Sequence, residues 1–262
     1  MRAYCLIRQG PHYRHEAFVT GLKACGYEVV CGRPQSIHAG DVLVIWNRYG
    51  ENHQLAERFE RAGEAVLVAE NGYLGRDRDG IQYYALARSG HNGSGTWPSG
   101  GPERWTKLGV EVAPWRMGGD YVLVAPNRNF GSPTMLMPIG WGERTAKSLE
   151  ARGHKVRLRL HPGTRKPERS LEEDLAGASA VVIWASSVGV HALVAGVPVV
   201  CESQYWICRS AAYRAWNKDE ADDEMRQDRF GALHRMAWAQ WTIEELASGA
   251  PFARLISDGD VG

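Results

Sequence analysis

The sequence predicts an α/β protein with two similar halves, each a small parallel sheet covered by helices. In the first third, short apolar runs alternate with amphipathic stretches of helical length. A glycine-rich interruption begins at Asn71, and the same alternation resumes at Asp120. Strands that alternate with helices are typical of crossover units and parallel sheets. We place the boundary beside Gly118 and Gly119, which gives domains 1–117 and 118–262.

The first half contains four apolar runs that read as buried strands, separated by two amphipathic helices. The strands are expected at 3–7, 27–30, 41–46 and 64–70, and the helices at 13–26 and 51–63. This order predicts a Rossmann-like half. Residues 71–105 carry many glycines and little periodicity, so we expect a long loop there. Its tyrosines and tryptophans favour an ordered, functional loop over disorder.

The second half repeats the order. Strands are expected at 120–126, 155–162, 179–185 and 197–202, with helices at 140–153, 170–178 and 187–195 and two more before the carboxyl terminus. One window, Ala176 to Cys201, contains no Asp, Glu, Lys or Arg. It is long enough to cross a membrane. However, serines, glycines and a proline interrupt it every few residues, which favours strand, short helix and strand, and no membrane span.

Bulk composition indicates an ordinary globular chain. The formal net charge is +1 over 262 residues, which argues neither for nor against nucleic acid as a partner. The five cysteines are scattered without a Cys-x-x-Cys pair, and the amino terminus has no long apolar run. Both features predict a protein of the reducing cytoplasm without a structural metal.

Three loops of the second half combine small residues with cations where a predicted strand ends. Because the carboxyl ends of parallel strands meet at one edge, we expect these loops to face each other and to bind a phosphorylated ligand. The alternative for the serines is that they only cap the next helix. The loops contribute Arg128, Gly131 and Ser132, then Arg159 and His161, then Ser186 and Ser187.

This half resembles the carboxyl-terminal half of GT-B glycosyltransferases, especially those of bacterial capsule and surface sugars. The resemblance rests on "RLHP" at 159–162, "SSVG" at 186–189 and "GVPVV" at 196–200, and it covers about residues 120–205. It implies two Rossmann-like domains facing across a cleft, terminal helices that cross back to the first domain, and a nucleotide diphosphate sugar as donor, with a UDP-sugar expected and no cofactor. The donor residues expected at this site include Gly189, His191 and Glu202.

One position departs from the family pattern. Many members have a glutamate in the short helix that contacts the donor, and this sequence has His191. Donor identity and stereochemistry therefore do not transfer from the family. Other segments, such as "ENGYLG" at 70–75, look like those of phage and prophage proteins of this type. That similarity implies a hexosyl- or pentosyltransferase of a phage-infected cell, acting on a hydroxymethylated pyrimidine in DNA or on a glycan.

Transfer to a hydroxyl requires a general base, which we expect in the first half. Glu70 and His91 are the candidates, since glutamate can be tuned by burial and histidine titrates near neutral pH. Two Asp-x-Asp strings (77–79 and 258–260) are not expected to bind a metal. The alternatives are a sugar-nucleotide epimerase and a non-catalytic nucleotide-sugar-binding protein. The predicted acceptor residues are Asn47, Asn71, Trp97 and Trp115.

Overall fold

A computed structural model of the protein describes residues 1–128, 131–161, 163, 167–214 and 228–257. Contacts divide the chain into two compact units. The first contains Met1–Leu108, Phe130–Thr134 and Arg235–Gly262, and the second contains Gly109–Asn129 and Met135–His234. The domain boundary between residues 117 and 118 stays a prediction.

The helices and strands follow each other in an α/β order. In chain order the strands are β1 (Arg2–Cys5), β2 (Glu28–Val30), β3 (Val42–Trp46), β4 (Ala65–Arg76), β5 (Gln82–Arg88), β6 (Tyr121–Ala125), β7 (Val156–Leu158), β8 (Ala178–Ile183), β9 (Val199–Cys201) and β10 (Gln240–Trp241). The helices are α1 (His15–Ala24), α2 (Gly50–Arg61), α3 (Glu103–Leu108), α4 (Trp141–Ala151), α5 (Leu171–Ala176), α6 (Val188–Val194), α7 (Arg229–Trp238), α8 (Ile243–Ser248) and α9 (Ala250–Ser257).

The first unit is built on a sheet with the order β10-β5-β4-β3-β1-β2. Neighbours from β2 to β4 are parallel, whereas β5 pairs antiparallel with β4 and β10 pairs antiparallel with β5. Alternate residues of β3 enter different cores, because successive side chains of a strand point to opposite faces. Val44 joins the core that contains Phe18 and Phe252, and Ile45 joins the core that contains Phe59.

The prediction of a long loop over residues 71–105 is wrong for its first part. Residues 71–76 extend β4, and residues 82–88 form β5. Tyr83 and Tyr84 are buried, as their high strand propensity allows. Gly72 lies so close to Tyr83 that an added Cβ would be 2.6 Å from the Tyr83 carbonyl oxygen. The glycines that suggested a loop therefore permit close pairing and an irregular register in the hairpin.

The carboxyl-terminal helices α8 and α9 belong to the first unit. Leu246 and Phe252 are fully buried in the core that includes Phe18 and Leu22 of α1. At Gly21 a Cβ atom would lie 1.9 Å from the carbonyl oxygen of Leu246. Glycine at this position lets α1 and α8 approach each other with backbone in contact.

The second unit contains a parallel sheet with the order β7-β6-β8-β9. Its strands β6, β8 and β9 are largely buried, the edge strand β7 is half-buried, and α4 covers one face through Trp141 and Leu149. The uncharged window forms β8, α6 and β9, which confirms the predicted strand, helix and strand. Within the described ranges no helix is long and apolar enough to cross a membrane.

Candidate functional site

The sheet of the second unit has a topological switch point between β6 and β8. The chain leaves β6 toward β7 on one side and later returns to β8 on the other side. In open parallel sheets, ligands bind outside the carboxyl ends of the strands at such a point. The loops at this point are 126–128 after β6 and 184–187 after β8, and we call them the switch-point loops.

Cationic and imidazole groups come together beside these loops. Partial burial and the positive charges of Arg128 and Arg159 lower the pKa of His161. The positive charges of Arg128, after β6, and Arg159, after β7, therefore both act on the ring of His161. An anionic ligand here would relieve this repulsion, because a phosphate favours the protonated imidazole.

Arg159 is held by an ion-pair network inside the unit. Asp174, with a nearly buried side chain, pairs with Arg159 and also accepts a hydrogen bond from Arg157 at 2.9 Å. Arg157 also stacks over the ring of Tyr121 at 3.9 Å. Two guanidinium groups share one carboxylate, so the network retains one net positive charge. No local sequence pattern predicts this link, because Asp174 lies in α5 and not at a strand end.

The two serines have different environments. Ser186 is buried, and its hydroxyl accepts a hydrogen bond from the amide of Val188 at 3.3 Å. Ser187 is exposed at the start of α6 and makes no side-chain cap. The capping alternative therefore applies to Ser186, while the Ser187 hydroxyl is available to a ligand. Gly189 packs against Ile183 and Trp206, since a Cβ there would lie 2.6 Å from each side chain.

Asn127 is a further candidate that sequence reasoning did not select. Its amide nitrogen donates to the carbonyl oxygen of Arg128 at 3.1 Å. Its Oδ1 is buried and accepts no hydrogen bond from the described residues. A buried polar atom without a partner costs free energy, so a donor group from a ligand would stabilise it. The position of Asn127 directly after β6 is the sequence feature that could have identified it as a site candidate.

His191 and Glu202 lie in the same unit but have protein contacts. Burial lowers the pKa of His191, and the charge of Glu172 opposes this effect. A carboxylate oxygen of Glu202 accepts a hydrogen bond from the Trp141 ring nitrogen at 2.7 Å. Both donor assignments stay predictions.

The loop after β6 is divided between the units. Gly131 and Ser132 cluster with the first unit, whereas Arg128 belongs to the second. The Ser132 hydroxyl lies 3.1 Å from that of Thr134. Part of the "RLHP" motif, Pro162, lies outside the described residues, as do Asp258 and Asp260.

In the first unit, the structure brings both base candidates close to each other. Glu70 accepts hydrogen bonds from the Tyr73 hydroxyl and, at 2.8 Å, from the backbone amide of Asn92. Both bonds go to Oε1 and fix the carboxyl group. His91 is buried immediately before Asn92. A carboxylate of β4 and a histidine of the following loop therefore share one neighbourhood, although 20 residues separate them in sequence.

Each of the four predicted acceptor residues has contacts within its own unit. The amide of Asn47 donates to Ala69, and Asn71 accepts from Gln82 on the hairpin. Trp97 packs against the core of the first unit and donates to the carbonyl oxygen of Arg235. Trp115 belongs to the second unit, where Arg229 stacks on its ring at 4.1 Å. The tryptophans are engaged in packing, and their acceptor roles stay predictions.

A cavity of about 530 Å³ opens at the carboxyl end of β1, entirely within the first unit. The ionisable side chains that line this cavity include Cys5, Arg8, His15, Cys31, Arg33 and Glu51. Sequence reasoning missed this cavity, because Cys31 and His15 lie in different elements and match no local motif. Among the described residues no three His, Cys, Asp or Glu side chains converge to hold a metal ion. Asp77 caps the turn of the β4–β5 hairpin by accepting from the amides of Asp79 and Ile81.

No protein-family model and no curated protein match the sequence. Solved structures do share its fold. The Thermosulfurimonas dismutans KpsC beta Kdo 2,7 transferase matches with a TM-score of 0.57 and 14% identity, over 97% of this chain and 99% of that chain. The KpsC beta Kdo 2,4 transferase of the same organism matches with a TM-score of 0.52 and 13% identity, over 91% of this chain and 90% of that chain. This similarity shows that the chain shares the fold of these two transferases, and it supports the predicted Rossmann-like α/β class.

Proposed function

We propose that the protein is a glycosyltransferase that moves a sugar from a nucleotide diphosphate sugar to a hydroxyl group of a glycan. The observation that carries the proposal is that Arg128 and Arg159 follow the neighbouring parallel strands β6 and β7 at the carboxyl edge of the sheet, where both positive charges act on His161. The fold shared with sugar transferases supports it. The same site can bind a nucleotide without catalysis, so the activity needs its own test.

The donor diphosphate is proposed to bind at the switch-point loops. Arg128 supplies one positive charge, and the Arg157, Arg159 and Asp174 network supplies another, since its two guanidinium groups exceed its carboxylate by one. The Ser187 hydroxyl donates to a phosphate oxygen. As the bond to the sugar breaks, negative charge builds on the leaving diphosphate, and fixed cations stabilise that charge most strongly.

The base that activates the acceptor hydroxyl is proposed to be Glu70 or His91. Glu70 fits because Oε1 is held by Tyr73 and Asn92, which leaves Oε2 to accept the hydroxyl proton. His91 fits as a buried ring in the same neighbourhood. Exchange of Glu70 for glutamine keeps both hydrogen-bond acceptor positions at Oε1 but removes the basic carboxylate. A loss of turnover with retained donor binding in that variant would assign the base.

The donor sugar, its nucleotide and the acceptor are each tested among stated chemical classes. The predicted UDP-sugar donor and the hydroxymethylated pyrimidine acceptor have no support from the structural neighbours. Both neighbours are named as Kdo transferases, so a nucleotide-activated acidic sugar belongs in the donor panel. Metal independence likewise stays a proposal, to be tested by turnover in a chelator.

Nucleotide binding tests the phosphate site directly. Calorimetric titration of the full chain with UDP should detect binding, and titration with CMP compares a nucleotide that lacks the diphosphate. Arg128→Gln should weaken UDP binding about tenfold or more, because a charge-assisted hydrogen bond contributes about 1.5–3 kcal/mol. Ser187→Ala should weaken it about fivefold through loss of one neutral hydrogen bond. Arg169→Gln is the matched control, since it removes an exposed arginine from the neighbouring segment. Equal affinity in all four proteins would contradict the site.

Turnover tests the activity. Release of free nucleotide from a donor panel is measured with oligosaccharide acceptors, with hydroxymethylated DNA and without acceptor. Release that requires a glycan supports the proposal. Donor isomerisation without acceptor would indicate an epimerase, and binding without turnover would indicate a nucleotide-sugar-binding protein.

A further inference from the structure

The cavity beside β1 contains a cysteine paired with a histidine. The Sγ atom of Cys31 lies 3.5 Å from Nε2 of His15. Nδ1 of the same ring lies 2.8 Å from the carbonyl oxygen of Ile7. A carbonyl oxygen only accepts, so Nδ1 carries the proton of the neutral ring and Nε2 presents its lone pair to the thiol. The Cys31 thiol therefore donates to a histidine that a third group orients, which is the arrangement of an activated nucleophile.

The two members of the pair differ in exposure in the way this chemistry requires. His15 is only 6% exposed, so its ring is fixed by packing. Cys31 is exposed directly after β2 and lines the cavity. The base is thus held in place while the sulfur remains open to a reagent.

A second cysteine lies next to Cys31 but has the opposite character. Tyr4 of β1 pairs with Val30 of β2, and Cys5 and Cys31 are the residues that follow them, close enough for the charge of Cys31 to act on the Cys5 thiol. Cys5 is buried, and burial raises the pKa of its thiol to about 12. Since the thiolate is the nucleophile, Cys5 stays an unreactive thiol beside Cys31.

The charges around the cavity favour an anion. Arg8 follows β1 and lies over the ring of Tyr13 at 5.9 Å, and no ion pair of Arg8 occurs within the described ranges. Arg33 pairs with Glu51 at 2.6 Å, so those two charges cancel. The first turn of α2 also lines the cavity and begins without a side-chain cap. Arg8 and the orphan amides of α2 thus present positive potential to a ligand.

We propose that Cys31 is a nucleophilic thiol that forms a mixed disulfide with a small, carboxylate-bearing disulfide bound in this cavity. The thiol proton moves to Nε2 of His15, and the sulfur attacks one sulfur of the ligand. The new sulfur–sulfur bond forms as the old one breaks, and the departing sulfur takes the proton from His15 and leaves as a thiol. Cys31 is oxidised, the released half is reduced, and no further reagent is needed.

The same chain provides an internal control. Cys25 is the other cysteine that is not buried, and its Sγ donates to the carbonyl oxygen of Gly249 at 3.2 Å. It has no histidine partner in the described part of the chain, and burial raises the pKa of its thiol. A reagent in solution therefore reports on both sulfurs at once under identical conditions.

The experiment treats the folded full chain with oxidised glutathione and, separately, with the neutral bis(2-hydroxyethyl) disulfide, and follows adducts at each cysteine by mass spectrometry. Cys31 should react at least about tenfold faster than Cys25, because its sulfur is exposed and Nε2 of His15 is positioned to accept the thiol proton as the sulfur attacks. The ratio of the Cys31 rate to the Cys25 rate should be larger for oxidised glutathione than for the neutral disulfide, and it should be smaller in Arg8→Gln. His15→Gln should remove the excess at Cys31 while Cys25 reacts as before.

Equal rates at Cys31 and Cys25 in the unmodified chain would overturn the proposal without any variant. Should His15→Gln unfold, the rate at Cys25 would rise with it, and the unmodified chain and Arg8→Gln still decide the outcome. An equal preference for the anionic and the neutral disulfide would overturn the ligand class. The proposal does not depend on the donor site, which lies in the second unit.

Discussion

The carboxylate of Asp174 should be among the most consequential charges of the second unit for stability. Asp174→Asn keeps the size of the side chain but places an amide group against two guanidinium groups. Its side chain is 5% exposed, while those of Arg157 and Arg159 are 31% and 14% exposed. Two charge-assisted hydrogen bonds at about 1.5–3 kcal/mol each give an upper value near 6 kcal/mol. Solvent around Arg157 and the acceptor oxygen retained by asparagine reduce the expected loss to about 3 kcal/mol.

Guanidinium chloride unfolding, followed by tryptophan fluorescence and by circular dichroism, measures this loss. Glu172→Gln is the matched control, because it removes the same charge from the same turn of α5 at an exposed position. A free energy of unfolding for Asp174→Asn within about 0.5 kcal/mol of the control would refute the reasoning, since that is the usual effect of a surface substitution. Nucleoside diphosphate affinity should fall as well, because Arg159 loses the partner that orients it.

Three further outcomes follow from described contacts. The pKa of His161 is lowered in the free protein, and a bound phosphate should raise it. Nucleotide affinity should therefore increase as the pH falls below about 6.5, the ordinary pKa of histidine. Calorimetry at pH 8 and pH 6 should show this increase, and His161→Gln should abolish it. Gly21→Ala should lower the free energy of unfolding by about 3 kcal/mol, because its Cβ would lie 1.9 Å from the Leu246 carbonyl oxygen, whereas Gly32→Ala, with open space at its Cβ, should not. Gly189→Ala should cost about 1–3 kcal/mol by overpacking against Trp206, measured by the same unfolding assay.

The sequence predicted the elements whose signal is local. The window from β8 to β9 was predicted correctly, because strands buried on both faces are continuous apolar runs and the helix between them is bounded by serines and glycine. The β4–β5 hairpin was missed, because its glycines imitate a loop while they in fact relieve contact with Tyr83. Propensity rules do not distinguish these two uses of glycine.

In the candidate sites, too, features with a local sequence signal were predictable and contacts between distant residues were not. Parallel-sheet geometry was enough to place Arg128 and His161 at one edge, and the structure brings their charges together. The contact of Asp174 with Arg159 was not predictable, since it depends on how α5 packs beside β7. The Cys31 and His15 pair depends likewise on how α1 packs against the end of β2. Predicting a contact between two elements requires knowledge of the fold, whereas predicting which residues lie at strand ends requires only the order of the elements.

The division of the first unit between both ends of the chain affects how the protein is made. A ribosome delivers β1 to β5 first, but the core that holds Phe18 and Leu22 also needs Leu246 and Phe252. That core stays incomplete until Phe252 has been synthesised, and by then β6 to β9 of the second unit are already present. We therefore expect the later-synthesised sheet to mature first, and nascent chains stopped at His234 to expose the apolar face of α1 to chaperones and proteases.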